Sequence, residues 1–165
     1  MKKFELTSES IVKFGKTLYR IRALVAFGDV KEGELGGFLE KEENLSQDGN
    51  AWVRGSAIVS ENAIVSENAT VRGNATVRGY ARVFKTSHYL VIGPMGSRNG
   101  FTTFFRTNNL FIGVSCGCFI GNVDEFVKKV KETHGDNKHA KTYLAAAELA
   151  KMQIDLTPEE NEPEE

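Results

Sequence analysis

Between residues 48 and 83 the apolar positions recur every six residues. In sixes the stretch reads DGNAWV, RGSAIV, SENAIV, SENATV, RGNATV, RGYARV. Valine stands at 53, 59, 65, 71, 77 and 83, and alanine at 51, 57, 63, 69, 75 and 81. No α-helix has this period. A coil with three flat faces does, if each face consumes one hexapeptide, and residue i then lies over i+18. Val53 is predicted to stack on Val71, Val59 on Val77, and Val65 on Val83. Valine suits a pleated, inward-facing position. Its neighbouring alanine suits a crowded approach to a corner. Gly55, Gly73 and Gly79, with Asn62, Asn68 and Asn74, are the residues expected to tolerate positive φ at the corners. The position before each valine faces outward and carries Trp52, Ile58, Ile64, Thr70, Thr76 and Arg82. The three large apolar groups among these call for a cover, from elsewhere in the chain or from a second subunit.

The periodicity changes on both sides. Residues 1–35 predict a β-hairpin cap, with strands at Ile11–Phe14 and Leu18–Ile21 and a turn at Gly15-Lys16. Residues 36–85 form the repeat coil, entered through an irregular first turn. Residues 86–156 predict a small α+β unit of order βββαα. Its strands are Tyr89–Ile92, Thr102–Phe105 and Phe111–Cys116, with a turn at Asn108-Asn109. The first helix is capped by Asn122 with Glu125 three residues on, buries Val123, Phe126, Val127 and Val130, and stops at Gly135. The second follows Asp136 and buries Tyr143, Leu144 and Ala147. Residues 157–165 carry five glutamates and no base, and are expected to be a disordered acidic tail.

Composition narrows the setting. The formal charge is −1 over 165 residues, and without the tail's glutamates the rest carries about +4. That is too little to argue for duplex nucleic acid. No run approaches a membrane span of ~18 apolar residues, and Met1-Lys2-Lys3 is followed by no apolar leader. The expected location is cytoplasmic. Cys116 and Cys118, one residue apart, read as reduced thiols, because a disulfide between them would be strained.

Two candidate sites emerge. The glycine-rich segment after the first C-terminal strand, Gly93 to Gly100, lets backbone approach a ligand. Within it Gly96, Ser97, Arg98 and Asn99 offer close approach, hydrogen bonds and a guanidinium for an anion. The segment lacks the Gly-Lys-Ser/Thr ending of a Walker loop. Arg54, Arg72 and Arg78, each following an inward valine, form a basic ladder. Arg54 and Arg72 fall one turn apart and favour either solvation or an anion between them. Cys116, Cys118, His134 and His139 have zinc-ligand chemistry, but their spacing matches no finger pattern, and no metal is assigned. The sequence calls for no cofactor, and no catalytic residue is assigned.

An aliphatic residue followed four positions later by a small one, as in Val53/Ala57 and Val59/Ala63, resembles the hexapeptide-repeat left-handed β-helix family. The resemblance implies a left-handed coil, assembly as a homo-oligomer, with a trimer favoured, and in some members acyltransfer with a histidine base. Here no loop is extruded from the repeats and His88 is the nearest histidine. A second resemblance is carried by the segments Gly28 to Phe38, Ile92 to Arg98, Cys116-Gly117-Cys118-Phe119 and Thr133 to Asn137. It is to proteins encoded by phages and prophages, and it implies the cytoplasm of an infected bacterial host. The resulting fold expectation is a mainly β protein. It comprises a short left-handed parallel β-helix, an N-terminal β-hairpin cap and a C-terminal βββαα unit. The functional expectation is a non-enzymatic binding protein that sequesters a small anionic ligand, of cyclic or ADP-ribose type, used as a nucleotide immune signal. A protein–protein inhibitor of a host defence protein and a hexapeptide-repeat acyltransferase are the alternatives.

Overall fold

The computed structural model describes residues 1–160. The chain opens with strand β1 (Phe4–Lys13), which turns at Phe14-Gly15 and returns as β2 (Lys16–Ala23), paired antiparallel. The turn residues have φ of 53° and 73°, the left-handed geometry that suits a tight hairpin. The hairpin is longer than the pattern predicts and reaches back to Phe4. Strand β3 (Leu35–Leu39) lies antiparallel to β2 on one side and parallel to the repeats on the other.

Each hexapeptide contributes a two-residue strand: β4 (Trp52–Val53), β5 (Ile58–Val59), β6 (Ile64–Val65), β7 (Thr70–Val71), β8 (Thr76–Val77) and β9 (Arg82–Val83). They pair in parallel at a spacing of eighteen: Val53 with Val71, Val59 with Val77, and Val65 with Val83. All six valines and their alanines are buried. The wider expectation of a left-handed parallel β-helix is corrected. The strands divide among separate sheets and form no solenoid. β5 and β8 complete a five-stranded mixed sheet of order β1-β2-β3-β5-β8, while β4-β7 and β6-β9 are two-stranded. The physical reason is length. Thirty-six residues let each strand find its i+18 partner once, whereas a self-supporting stack needs more turns. The hairpin and C-terminal unit therefore supply the remaining partners.

The corners also differ from expectation. Positive φ falls at the second residue of every hexapeptide: Gly49, Gly55, Glu61, Glu67, Gly73 and Gly79. Two corners are thus glutamates, not the asparagines that follow them. Of the three large outer apolar groups, Trp52 and Ile58 are covered by this chain itself, and Ile64 is half-buried. Phe4 and Phe27 pack edge-on against Trp52 with centroids 6.3 and 5.3 Å away. Leu18 and Phe38 bury Ile58. Trp52 and Ile58 therefore supply no exposed face for self-association.

The C-terminal unit has four strands rather than three: β10 (Tyr89–Met95), β11 (Gly100–Arg106), β12 (Ile112–Cys116) and β13 (Phe119–Asn122), in an antiparallel meander. Helix α1 (Val123–His134) starts at Asn122, whose Oδ1 accepts from Glu125 N–H (2.8 Å) while Glu125 accepts from Asn122 N–H (3.2 Å). Helix α2 (Lys138–Gln153) is capped by Asn137 and buries Ala140, Ala146, Ala147 and Ala150. The sheet separates two cores. Phe105 packs with the repeat valines, and Phe104 with the helices. The start of the expected disordered tail is held: Arg106 donates to the Thr157 carbonyl (3.4 Å) and Lys85 pairs with Glu159 (3.0 Å). Residues 161–165 of that expectation lie outside the described residues. No helix among the described residues is long and apolar enough to cross a membrane.

Candidate functional site

A cleft of about 800 Å³ opens between the hairpin, the repeats and the C-terminal unit. Its first wall is the hairpin tip, which brings Ile11, Lys13 and Phe14. The floor is the outer surface of the repeats, with Ser56, Ile58, Asn74 and Thr76. The opposite wall is the β10–β11 connection, with Met95, Ser97, Arg98 and Phe101. The end of α1 (Lys129, Thr133, His134), Tyr143 of α2 and the β12–β13 turn close the remaining side.

The charge of this surface is one-sided. Lys13, Arg98 and Lys129 line it together with His134, and none of the described aspartates or glutamates does. Three fixed cations facing one concave space without a carboxylate raise its potential, and an anion entering it is drawn away from bulk solvent. Between the cations are aromatic surfaces, Phe14, Phe38, Phe101, Phe119 and Tyr143, which suit a planar group.

Local structure explains how these groups are held. Gly96 has φ +79°, and a Cβ there would lie 1.9 Å from Tyr143 Oη. The glycine thus admits the phenol against the loop, a close approach that no other residue permits. The loop closes on itself through Asn99 N–H, which donates to Gly96 O (3.2 Å), with Asn99 at φ 50°. Tyr143 stacks on His134 (centroids 5.8 Å, 25°) and meets Phe126 edge-on (5.7 Å). Burial and the neighbouring Cys116 push its phenol pKa upward, so it remains a neutral donor. Thr102 Oγ1 lies 3.2 Å from Cys116 Sγ.

Of the loop residues singled out by sequence, Ser97 and Arg98 line the cleft, while Gly96 and Asn99 shape the turn behind it. The arginine ladder is not brought together at this surface. Arg54 is held by Asp29 (2.6 Å) and Glu34 (2.9 Å). Arg72 is exposed, and its backbone N–H donates to Tyr89 Oη (3.3 Å). Arg78 is buried: it donates to Ser115 Oγ (2.9 Å) and to the carbonyls of Gly117 and Phe119 (3.3 and 3.0 Å). It also stands 4.1 Å over the Phe14 ring, and so supports one side of the cleft from beneath. Cys116, Cys118 and His134 line the cleft, and His134 lies against the His139 ring (5.7 Å). Among the described residues, however, no group of three or more His, Cys, Asp or Glu side chains is assembled for a metal.

His88 does not line the cleft. It is fully buried, and its Nδ1 accepts from the backbone N–H groups of Phe84 (3.0 Å) and Lys85 (3.3 Å). Burial and then Arg106 lower its pKa, favouring the neutral ring. That is the environment of a structural pin, not of a base open to substrate.

Lys13, Phe14, Lys129 and Tyr143 were not foreseen as site residues. The Lys13-Phe14-Gly15 turn carried the one available signal, a cation and an aromatic ring exposed at a hairpin tip. No protein-family model matches the chain, and no curated protein matches it either.

Proposed function

We propose that the protein is a non-enzymatic binding protein that captures a small anionic ligand of nucleotide type in this cleft. The observation that carries the reading is the lining itself: Lys13, Arg98 and Lys129 converge with aromatic surfaces and no opposing carboxylate. Cations answer phosphate, and rings answer a base. The cleft volume of about 800 Å³ is in the range of small-molecule sites. The resemblance to phage-encoded proteins supplies the setting, in which the ligand is a cyclic or ADP-ribose-type immune signal and its capture silences a host defence.

Calorimetric titration of the full chain with cyclic dinucleotides and with ADP-ribose tests this. Binding that weakens with salt, falls at least tenfold in Arg98→Ala, and releases intact ligand on denaturation is expected. Absence of binding to every such anion removes the reading, and release of a cleaved product replaces it with an enzyme. Arg98 is exposed, so its removal leaves folding intact.

A further inference from the structure

A recess of about 110 Å³ extends from the side of the cleft between α1 and the β12–β13 hairpin. Phe119, Phe126 and Val130 form its apolar lining, and Tyr143 and His134, stacked on each other, complete it. Thr133 and Lys129 belong to both the recess and the cleft, so one opens into the other. We infer that this recess receives one planar heteroaromatic ring of the ligand, while its phosphate remains outside among Arg98, Lys13 and Lys129. The inference rests on the cleft being an anion site and goes beyond it by fixing which end of the ligand lies where.

Size and chemistry both point this way. An apolar cavity of roughly 150 Å³ admits benzene, whereas a water occupies about 30 Å³. The recess is too large for a single water and smaller than that benzene cavity, so a ring enters by its leading edge and the rest of it lies at the open mouth. The walls are rings at fixed angles: Phe126 meets Phe119 at 54° and Tyr143 at 90°. Such walls leave an entering ring offset or edge-on contacts, the geometries aromatic pairs favour. At the mouth the Thr133 hydroxyl, the Tyr143 phenol and the His134 imidazole can hydrogen-bond the ring's heteroatoms, and Lys129 bridges towards the phosphate side. The Thr133 hydroxyl and the Tyr143 phenol carry no charge, so the affinity they add does not decline with salt as the phosphate contacts do.

The test compares uridine 5′-monophosphate with ribose 5-phosphate on wild type and Thr133→Phe by calorimetry. Thr133 is an exposed helix position, so the larger ring blocks the mouth without disturbing the core. In the wild type the nucleotide is expected to bind at least tenfold tighter than the sugar phosphate. In Thr133→Phe that advantage disappears, and the two bind alike at the level of ribose 5-phosphate. Ring resonances of Phe126 and Tyr143 should also shift with the nucleotide and not with the sugar phosphate. Equal affinity for the two ligands in the wild type, or an advantage that survives Thr133→Phe, overturns the inference and leaves the anion site standing. If neither ligand nor inorganic pyrophosphate binds, the anion site itself is wrong.

Discussion

The repeats and the C-terminal unit bury similar kinds of surface in opposite ways. In the repeats, small side chains recur, and the six valines meet in three pairs eighteen residues apart. In the C-terminal unit the core is irregular: Phe104 and Tyr143 meet Phe126 edge-on, Phe119 meets it tilted, and alanines of α2 pack in the same cluster. The repeats leave strand edges open at both ends, and the neighbours close them differently. At the first end the cover is largely backbone, since β3 pairs with β5 and Leu45 bridges to Val65. Lys3 and Asn44 add side-chain donors to the carbonyls of Ala51 (2.8 Å) and Ala63 (2.9 Å). At the second end Ala81 bridges to Thr107 and Asn108 N–H donates to Tyr80 O (3.0 Å), but most of the cover is side chain. Thr70, Arg72 and Thr76 donate their N–H groups to Thr86 Oγ1, Tyr89 Oη and Thr103 Oγ1 (3.3, 3.3 and 2.9 Å). A backbone cover fixes register and tolerates no added volume. A hydroxyl cover satisfies the same donors while leaving the attached unit free to vary, and the cleft is built beside it.

The sharpest break of that contrast is at Gly36. A Cβ there would stand 2.5 Å from Val53 O and 2.6 Å from Ile21 Cγ1, both fixed in sheets. Gly36→Ala is expected to lower stability by about 3 kcal/mol, because overpacked backbone has no room to relax. Gly100→Ala, in the C-terminal unit with nothing within 4 Å, should stay within about 0.5 kcal/mol. Urea unfolding midpoints of the two variants measure the difference, and equal midpoints would remove the distinction between the two covers.

Next in size is Arg78, the side chain that joins the two regions. It is buried, with Glu61 3.6 Å away and two carbonyls of the β12–β13 turn as acceptors. Arg78→Met strands those acceptors and is expected to cost about 2–3 kcal/mol. It also withdraws support from Phe14, so ligand affinity should fall together with stability. Arg98→Ala, by contrast, should lower affinity alone. Paired thermal melts and titrations separate the two arginines.

These two arginines also show what the sequence could reveal. The period of six announced which valines would pair, because burial and β preference act at each residue in turn. It did not announce that the strands would be shared among sheets. That depends on how many turns are present and on what lies beside them. Arg98 reads in sequence as a candidate ligand group because glycines surround it, and the fold places it in the lining of the cleft. Arg78 reads in sequence as one rung of a basic ladder open to solvent or to an anion, since its own hexapeptide resembles those of Arg54 and Arg72. Only the docking of β12 and β13, encoded some forty residues later, buries it. The cleft was illegible for the same reason: Lys13, Arg98 and Lys129 belong to three distant segments, and each alone is an ordinary surface cation.

A smaller effect comes from Lys3 at the first end. Burial lowers its pKa from 10.5 to about 8, with Asp48 opposing the shift. The unfolded chain therefore holds more protons than the folded one between about pH 8 and 10.5. Stability contributed by this group rises with pH across that window and is lost as pH falls through 8. Lys3→Met removes the titration. The stability difference between wild type and Lys3→Met should therefore shift in favour of wild type by roughly 1 kcal/mol from pH 7.5 to 9.5. Chemical denaturation at both pH values checks it, and a constant difference would mean that the ammonium is not desolvated.

The smallest expected effect separates two corners that look alike in sequence. Glu61 and Glu67 both belong to SEN hexapeptides and both adopt left-handed φ, 58° and 57°. A non-glycine residue there carries a conformational cost that glycine avoids. Glu67 is exposed, so Glu67→Gly should stabilise the protein by about 0.5 kcal/mol. Glu61 is different because its carboxylate accepts from Gly79 N–H (2.9 Å) and faces Arg78. Glu61→Gly gains the same relief but leaves a strand-end donor and a buried guanidinium short of an acceptor, and should be destabilising by about 1–2 kcal/mol. Opposite signs from the same substitution, six residues apart, would locate the repeats' specificity in what the C-terminal unit demands of one corner. Like signs would return both corners to backbone preference alone.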